Sequence, residues 1–244
     1  MTARLQGERL AVRYGARLIF EGVDIVVESG RFTALVGPNG GGKSSLLRVL
    51  AGQQKPSRGS VKAAGSSMLI APATNPPADL TPADLAGYGL ALRRRPWQWG
   101  LPPDAVARID GALERCGLAG RAHASVGSLS AGEVQRAWIA AALAVEADVL
   151  LIDEPTTHLD LRYQVDILHT LRALTQAGIA VVAAMHDLTL AARFADDVAV
   201  LAAGRLTRGT PSEVLTPALL SRAFGIAVNL HRHPEEGYLI CLPS

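Results

Sequence analysis

The sequence predicts an α/β fold whose largely parallel sheet is covered by helices on both faces. Three observations carry that prediction. Fully apolar runs of strand length recur along the chain and alternate with segments whose apolar residues have helical spacing. One of these runs leads into a glycine-rich turn that opens a helix. Hydrophobic residues make up 49% of the 244 positions and charged ones 19%, a balance that supports a packed core rather than disorder.

Taken in order, "RFTALVG" (31–37) reads as a buried strand, and "KSSLLRVLAG" (43–52) as a helix closed by Gly52. "SMLIA" (67–71) is another short apolar run. The text then changes to "PATNPPADLTPADLAGYGLALRRRPWQWGLPP" (72–103), rich in Pro, Gly and Ala, which marks a boundary. Helical patterns follow at about 103–116 and 131–146. Strand–helix alternation then resumes with "DVLLID" (148–153), a helix over 161–176, "IAVVAAM" (179–185), a helix from 187 and "DVAVLA" (197–202). A mostly helical insert near 73–147 thus interrupts the sheet. The expected organisation is one domain over 1–244, with its core at about 1–72 and 148–244.

A formal charge of +2 is too small to imply a polyanion partner through bulk electrostatics. The chain has only three lysines, at 43, 55 and 62, and one of them falls in the glycine stretch. Cys116 and Cys241 lie far apart and form no metal-type pattern, which fits a reducing cytosol. The start lacks the apolar core of a signal peptide, and no run approaches the ~20 residues a membrane span requires. A soluble protein is expected, with any membrane role supplied through a partner.

Gly37-Pro38-Asn39-Gly40-Gly41-Gly42-Lys43-Ser44 fits G-x-x-x-x-G-K-[ST] between a strand and a helix, the context this phosphate-binding motif needs. Glycines let backbone N–H groups wrap phosphates, and the helix start adds positive potential. Lys43 offers a compact charge to the β- and γ-phosphates, and the Ser44 hydroxyl is a Mg²⁺ ligand. "VLLIDEP" (149–155) is the complement: Asp153 leaves an apolar strand where it can hold Mg²⁺, and Glu154 beside it can polarise an attacking water. The bland alternatives are an ordinary glycine turn and a pair of turn acids.

"SLSAGEVQRAWIAAAL" (128–143) resembles the LSGGQ-type signature of ABC ATPases, and the insert before it matches that family's helical subdomain. "THLD" (157–160) is similar to its D-loop, and His186 in "MHDLTLA" to its switch histidine. The resemblance runs from about residue 5 to 228, with the motifs in the family's order. It implies a P-loop NTPase cassette with an N-terminal antiparallel β portion and ATP and Mg²⁺ as ligands. Tyr14 would stack on adenine, unless it is simply core. Ser45 would follow the magnesium-binding hydroxyl, and His186 would contact the γ-phosphate. Ser130, Ala131, Gly132 and Glu133 would close on ATP held by a second copy, with Asp160 at that interface. Locally, Ser130 and Glu133 also spell a capping box, and Asp160 is an equally good helix N-cap.

The branch with the most similar phrasing is that of importers for iron–siderophore complexes, haem and vitamin B12, on "DEPTTHLDLRYQVDILHTLRAL", "MHDLTLAARFADDVAVLAAGR" and "GTPSEVLTPALLSRAFGIAV". That resemblance implies two copies beneath two transmembrane permease subunits at the cytoplasmic face of the inner membrane. A substrate-binding protein would deliver the cargo, and no nucleic acid would be involved. The alternatives are a soluble ABC ATPase acting on nucleic acid or ribosomes, and a nucleotide-binding module with little hydrolysis. One cassette with a short insert argues against the first, and intact Glu154 and His186 against the second. "LRRRPWQWG" (92–100) reads as partner contact, a solvated helix end or a nucleic-acid patch. His231 and His233 have no acid or Cys partner at ligand spacing and read as surface residues.

Two departures from the family pattern matter. Ala131 replaces a signature glycine, which is strain-free only at negative φ. Ala73 stands where the family carries a Gln, and an alanine can neither ligate Mg²⁺ nor hold a water; the nearest amide is Asn75. Either a water fills in, or turnover is slower than in relatives with Gln. The slower outcome is expected, so Ala73→Gln should raise the ATPase rate, and an unchanged or lower rate would refute it.

Overall fold

The computed structural model describes residues 2–71, 76–92, 102–157 and 159–243. Expectations for Ala73, Asn75, His158 and the 93–100 stretch lie outside the described residues. Contacts divide the chain into two units, one of Met1–Leu69, Asp148–Glu154 and Leu171–Ser244, the other of Ile70–Ala147 and Pro155–Thr170.

The first unit is built on three sheets. Strands β1 (Ala3–Tyr14), β2 (Arg17–Glu28) and β4 (Arg58–Ala63) form an antiparallel sheet in the order β2-β1-β4. A six-stranded sheet has the order β5-β6-β7-β3-β8-β9. Its members are β3 (Phe32–Val36), β5 (Ser67–Ile70), β6 (Val149–Asp153), β7 (Ala180–Ala184), β8 (Asp197–Ala202) and β9 (Arg205–Gly209). The run β6-β7-β3-β8 is parallel, and β9 returns antiparallel to β8. Every residue of β3, β6 and β7 is buried, as a parallel strand covered on both faces requires. Helix α1 (Lys43–Leu50) places Leu46, Leu47, Val49 and Leu50 in a core with Phe20, Val23 and Ile25 of β2, Leu151 of β6 and Val182 of β7. Burial of each such side chain stabilises by roughly 1.5–3 kcal/mol.

The β8 end that faces away from the glycine turn is held by charge. Asp197, only 7% exposed, accepts a fork from Arg31 at 2.9 Å on each oxygen and a further bond from Arg208 at 2.7 Å. Beyond helix α6 (Leu188–Phe194) the chain adds α7 (Pro211–Val214), α8 (Pro217–Phe224) and a hairpin of β10 (Val228–Arg232) and β11 (Leu239–Pro243). His231 and His233, read as surface residues, belong to this hairpin and its turn, His231 exposed and His233 partly so.

The second unit is helical. Helices α2 (Pro82–Leu92), α3 (Ala105–Arg115) and α4 (Ala131–Ala144) pack together, and the first part of α5 (Leu161–Gln176) completes the unit. Cys116 is buried, which pushes its thiol up to about 12; half-buried Cys241 is pushed up to about 11. Both thiols are therefore poor nucleophiles at neutral pH.

Candidate functional site

The site begins where β3 ends and the chain turns through Gly37–Gly42. Gly37 sits at φ 152°, and a Cβ there would lie 2.1 Å from the Leu201 carbonyl oxygen, so only glycine fits. Gly42 caps α1 at φ 100° with no side-chain cap bond, and the first turn carries no acidic residue. The helical ladder starts with the Leu46 N–H donating to the Gly42 carbonyl at 2.8 Å. The amides before it have no intrahelical acceptor and stand at the positive end of the helix, a fit for phosphate.

Lys43 is the first residue of α1 and only 6% exposed. Its Nζ donates to the carbonyls of Gly37 at 2.8 Å and Pro38 at 3.2 Å, fixing the ammonium within the turn. An ammonium has three donors, so one N–H direction remains for a ligand. Burial pulls the Lys43 pKa below its ordinary value, against the opposing pull of the Glu154 and Asp153 carboxylates.

Those acids leave the C-terminal end of β6. Asp153 is the last strand residue, paired with Ala184 of β7 and only 6% exposed. Glu154 follows with φ 55°, a left-handed conformation that a non-glycine residue adopts at a cost of roughly 1–3 kcal/mol. Its amide donates to the Ala184 carbonyl at 3.1 Å, turning the chain off the strand with the side chain partly exposed. His186 lies two residues beyond β7, and its Nε2 is 2.7 Å from Glu154 Oε1. The sequence assigns Glu154 to an attacking water, and the family resemblance implies a γ-phosphate contact for His186; the structure adds that the two side chains meet directly.

Tyr14 ends β1 and is 48% exposed, so it is not a core residue. Its phenol donates to Gln54 Oε1 at 2.8 Å and shares a hydrogen bond of 3.1 Å with Ser45 Oγ on α1. The Ser45 bond contributes most to holding the phenol below its ordinary pKa. Gln54 reaches it because the chain reverses after α1 at Gly52, and the Gln53 and Gln54 amides both donate to the Arg48 carbonyl. Sequence reading passed over Gln54, and only its place in a Gly-terminated loop after a helix signalled it.

The signature residues belong to the second unit. Ser130 is the N-cap of α4 and forms the predicted capping box. Its Oγ accepts from the Glu133 N–H at 3.3 Å, while Glu133 Oε2 accepts from the Ser130 N–H at 2.8 Å. Ala131 opens the helix and is not among the positive-φ residues, so the glycine it replaces is not needed for backbone shape. Gly132 is different: a Cβ there would sit 2.9 Å from the Tyr163 ring of α5. Asp160 is exposed, and its carbonyl accepts from the Gln164 N–H at 3.0 Å, so it starts α5.

Glu133 has a pKa held below the ordinary glutamate value, chiefly by the Ser130 amide bond. Such a group stabilises the fold above its unfolded pKa of ~4.3, and that contribution is lost as pH falls through the folded value. Glu133→Ala should therefore cost about 0.5–1.5 kcal/mol at pH 7 and progressively less below pH ~4. Urea unfolding at both pH values checks this.

The structure thus gathers Lys43, Asp153, Glu154, His186, Tyr14 and Ser45 in one unit, and Ser130, Ala131, Gly132, Glu133 and Asp160 in the other. Among the described residues no three His, Cys, Asp or Glu side chains cluster as a metal cage. A magnesium ion would not need one: it keeps several waters and takes one or two protein ligands beside substrate phosphates.

A family model described as ABC transporter matches residues 20–157. The ferric enterobactin transport ATP-binding protein of Escherichia coli is 34% identical over 99% of this chain and 94% of its own length. The hemin import ATP-binding protein of Streptomyces coelicolor is 39% identical over 96% and 88%, and the iron(3+)-hydroxamate import ATP-binding protein of Bacillus subtilis 36% over 98% and 94%. Among solved structures, a metal-chelate type ABC transporter in an inward-facing conformation has a TM-score of 0.89 at 25% identity, covering 100% of this chain and 98% of that one. With a phosphate-binding turn, an acid pair at a strand end and a capped signature helix in the family's order, the chain belongs to the ATP-binding proteins of ABC transporters.

Proposed function

We propose that this chain is the ATP-hydrolysing subunit of an importer for iron chelates, haem or a cobalamin-type cargo. One observation carries the branch: relatives from three organisms, matched over 96–99% of this chain, are named for ferric enterobactin, hemin or iron-hydroxamate transport. The catalytic reading rests on the site. The backbone N–H groups that follow Pro38 in the turn and at the start of α1, together with Lys43 Nζ, bind the triphosphate, and Tyr14 takes the adenine. Glu154, held by His186, accepts the proton of the attacking water. His186 then donates toward the γ-phosphate. Magnesium would be held by Ser44 and Asp153, and when bound it neutralises charge on the phosphate oxygens.

One nucleotide-binding core, about 1–72 and 148–244, and one helical insert, about 73–147, make up the working cassette. Two copies pair head to tail, so that Ser130, Ala131, Gly132 and Glu133 of one meet ATP on the P-loop of the other, beside Asp160. Each pair works beneath two permease subunits, supplied by a substrate-binding protein. Among the described residues no helix is long and apolar enough to cross a membrane. Like the import ATP-binding proteins it resembles, the subunit is placed peripherally at the cytoplasmic face, carried there by its partners. Co-purification with the adjacently encoded membrane subunits, followed by uptake of ferric siderophore, haem or cobalamin into vesicles holding ATP, tests the proposal. Uptake of none of them, with ATP hydrolysis intact, would overturn the branch.

A further inference from the structure

We infer that Arg193, gripped by the C-terminal hairpin, is a positioning residue for His186. The inference rests on the role given to His186 above. The imidazole is 42% exposed, so packing alone does not hold it against Glu154. Its place depends on the backbone that continues into α6. That helix has seven residues and begins one position later, at the Asp187 N-cap, whose Oδ1 accepts from the Leu190 N–H at 2.8 Å. A helix this short does not sustain itself and needs ties from outside.

The hairpin supplies two ties. The Cys241 N–H on β11 donates to Thr189 Oγ1 at 3.1 Å. Four residues on, along the same helical face, Arg193 makes a two-pronged ion pair with Glu236, Nε to Oε2 at 3.1 Å and Nη2 to Oε1 at 3.0 Å. The guanidinium also lies over the Tyr238 ring, 5.3 Å from its centre. Tyr238 in turn stacks on His233 at 4.8 Å. His233 Nδ1 accepts the amide N–H groups of Glu235 at 3.3 Å and Glu236 at 3.2 Å, so the turn that presents Glu236 is itself fixed. Two ties four residues apart set the rotation and axial position of α6. The opposite face is settled by buried Leu190, Ala191 and Phe194. The residue entering the helix, His186, inherits that placement.

An exposed ion pair adds little to stability, so its effect should appear in turnover. Arg193→Ala and the milder Glu236→Gln should each lower kcat for ATP by about fivefold, with KM within about twofold, since misplacing a reacting group costs rate before binding. The discriminating step repeats both changes in a His186→Ala background, where neither should reduce kcat further. Equal losses in both backgrounds, or a change confined to KM, would overturn the inference while leaving His186 essential. If His186→Ala alone retains full turnover, the role of His186 fails first and the inference falls with it.

Discussion

Replacing Glu154 by Gln is expected to cut steady-state ATP turnover by about 10²–10⁴-fold, the range a positioned general base supplies. Nucleotide affinity should stay within about threefold, because the proposed site assigns binding to the P-loop and not to this carboxylate. The substitution is nearly isosteric. Gln can still accept a hydrogen bond from His186 Nε2, as Glu154 does across 2.7 Å, and it inherits the same backbone at φ 55°. What is lost is the negative charge proposed above to take the water's proton. Parallel measurement of phosphate release and of fluorescent-nucleotide binding separates the two quantities. A fall in affinity matching the fall in rate would assign Glu154 to binding instead.

Lys43→Met should act on both quantities. The ammonium is buried and bonded to two P-loop carbonyls, so its removal leaves the triphosphate without a charged donor and the Gly37 and Pro38 oxygens without a partner from Lys43. Loss of a hydrogen bond to a charged group costs roughly 1.5–3 kcal/mol, or about 10–100-fold in ATP affinity. Turnover should fall by a further factor on the order of 10², as when a donor to developing transition-state charge is removed. Thermal unfolding of the nucleotide-free protein controls for loss of the turn itself. ATP binding unchanged from wild type would separate Lys43 from the phosphate.

The parallel strands were legible because burial on both faces leaves an uninterrupted apolar run. Strands β6, β7 and β8 lie within one residue at either end of the runs read as "DVLLID", "IAVVAAM" and "DVAVLA". The N-terminal sheet was not legible strand by strand. Register shifts between Gly7 and Leu10, and again around Val12, break the alternation that would have marked β1, so only the family resemblance pointed to it. Helix α2 was hidden by Pro82, Gly87 and Gly89, residues that argue locally for a turn. The tail hairpin was missed because β10 carries Asn229, His231 and Arg232, and the two-stranded ribbon buries only Val228 and Leu239, too few positions to impose an apolar spacing.

Within the site, legibility followed the reach of each interaction. Phosphate chemistry fixes residue types at fixed spacing, so Gly37 through Ser44 and the Asp153–Glu154 pair could be read from the text. The Glu154–His186 contact spans 32 positions, and Tyr14 meets Gln54 across 40; neither leaves a local pattern. Gly132 shows both kinds of signal: the motif marks the position, but only the Tyr163 side chain beside it explains why an added methyl would force a shift.

Whether two copies share each nucleotide is tested most directly by a cross-link. Asn39 and Ala131 would be changed to Cys in a Glu154→Gln chain whose Cys116 and Cys241 are replaced by Ala, assembled with the membrane subunits. Both new residues keep their backbone amides. With magnesium and ATP, oxidation should give a covalent species of twice the chain's mass, absent without nucleotide. If saturating nucleotide yields only single chains, the shared-nucleotide pair does not exist.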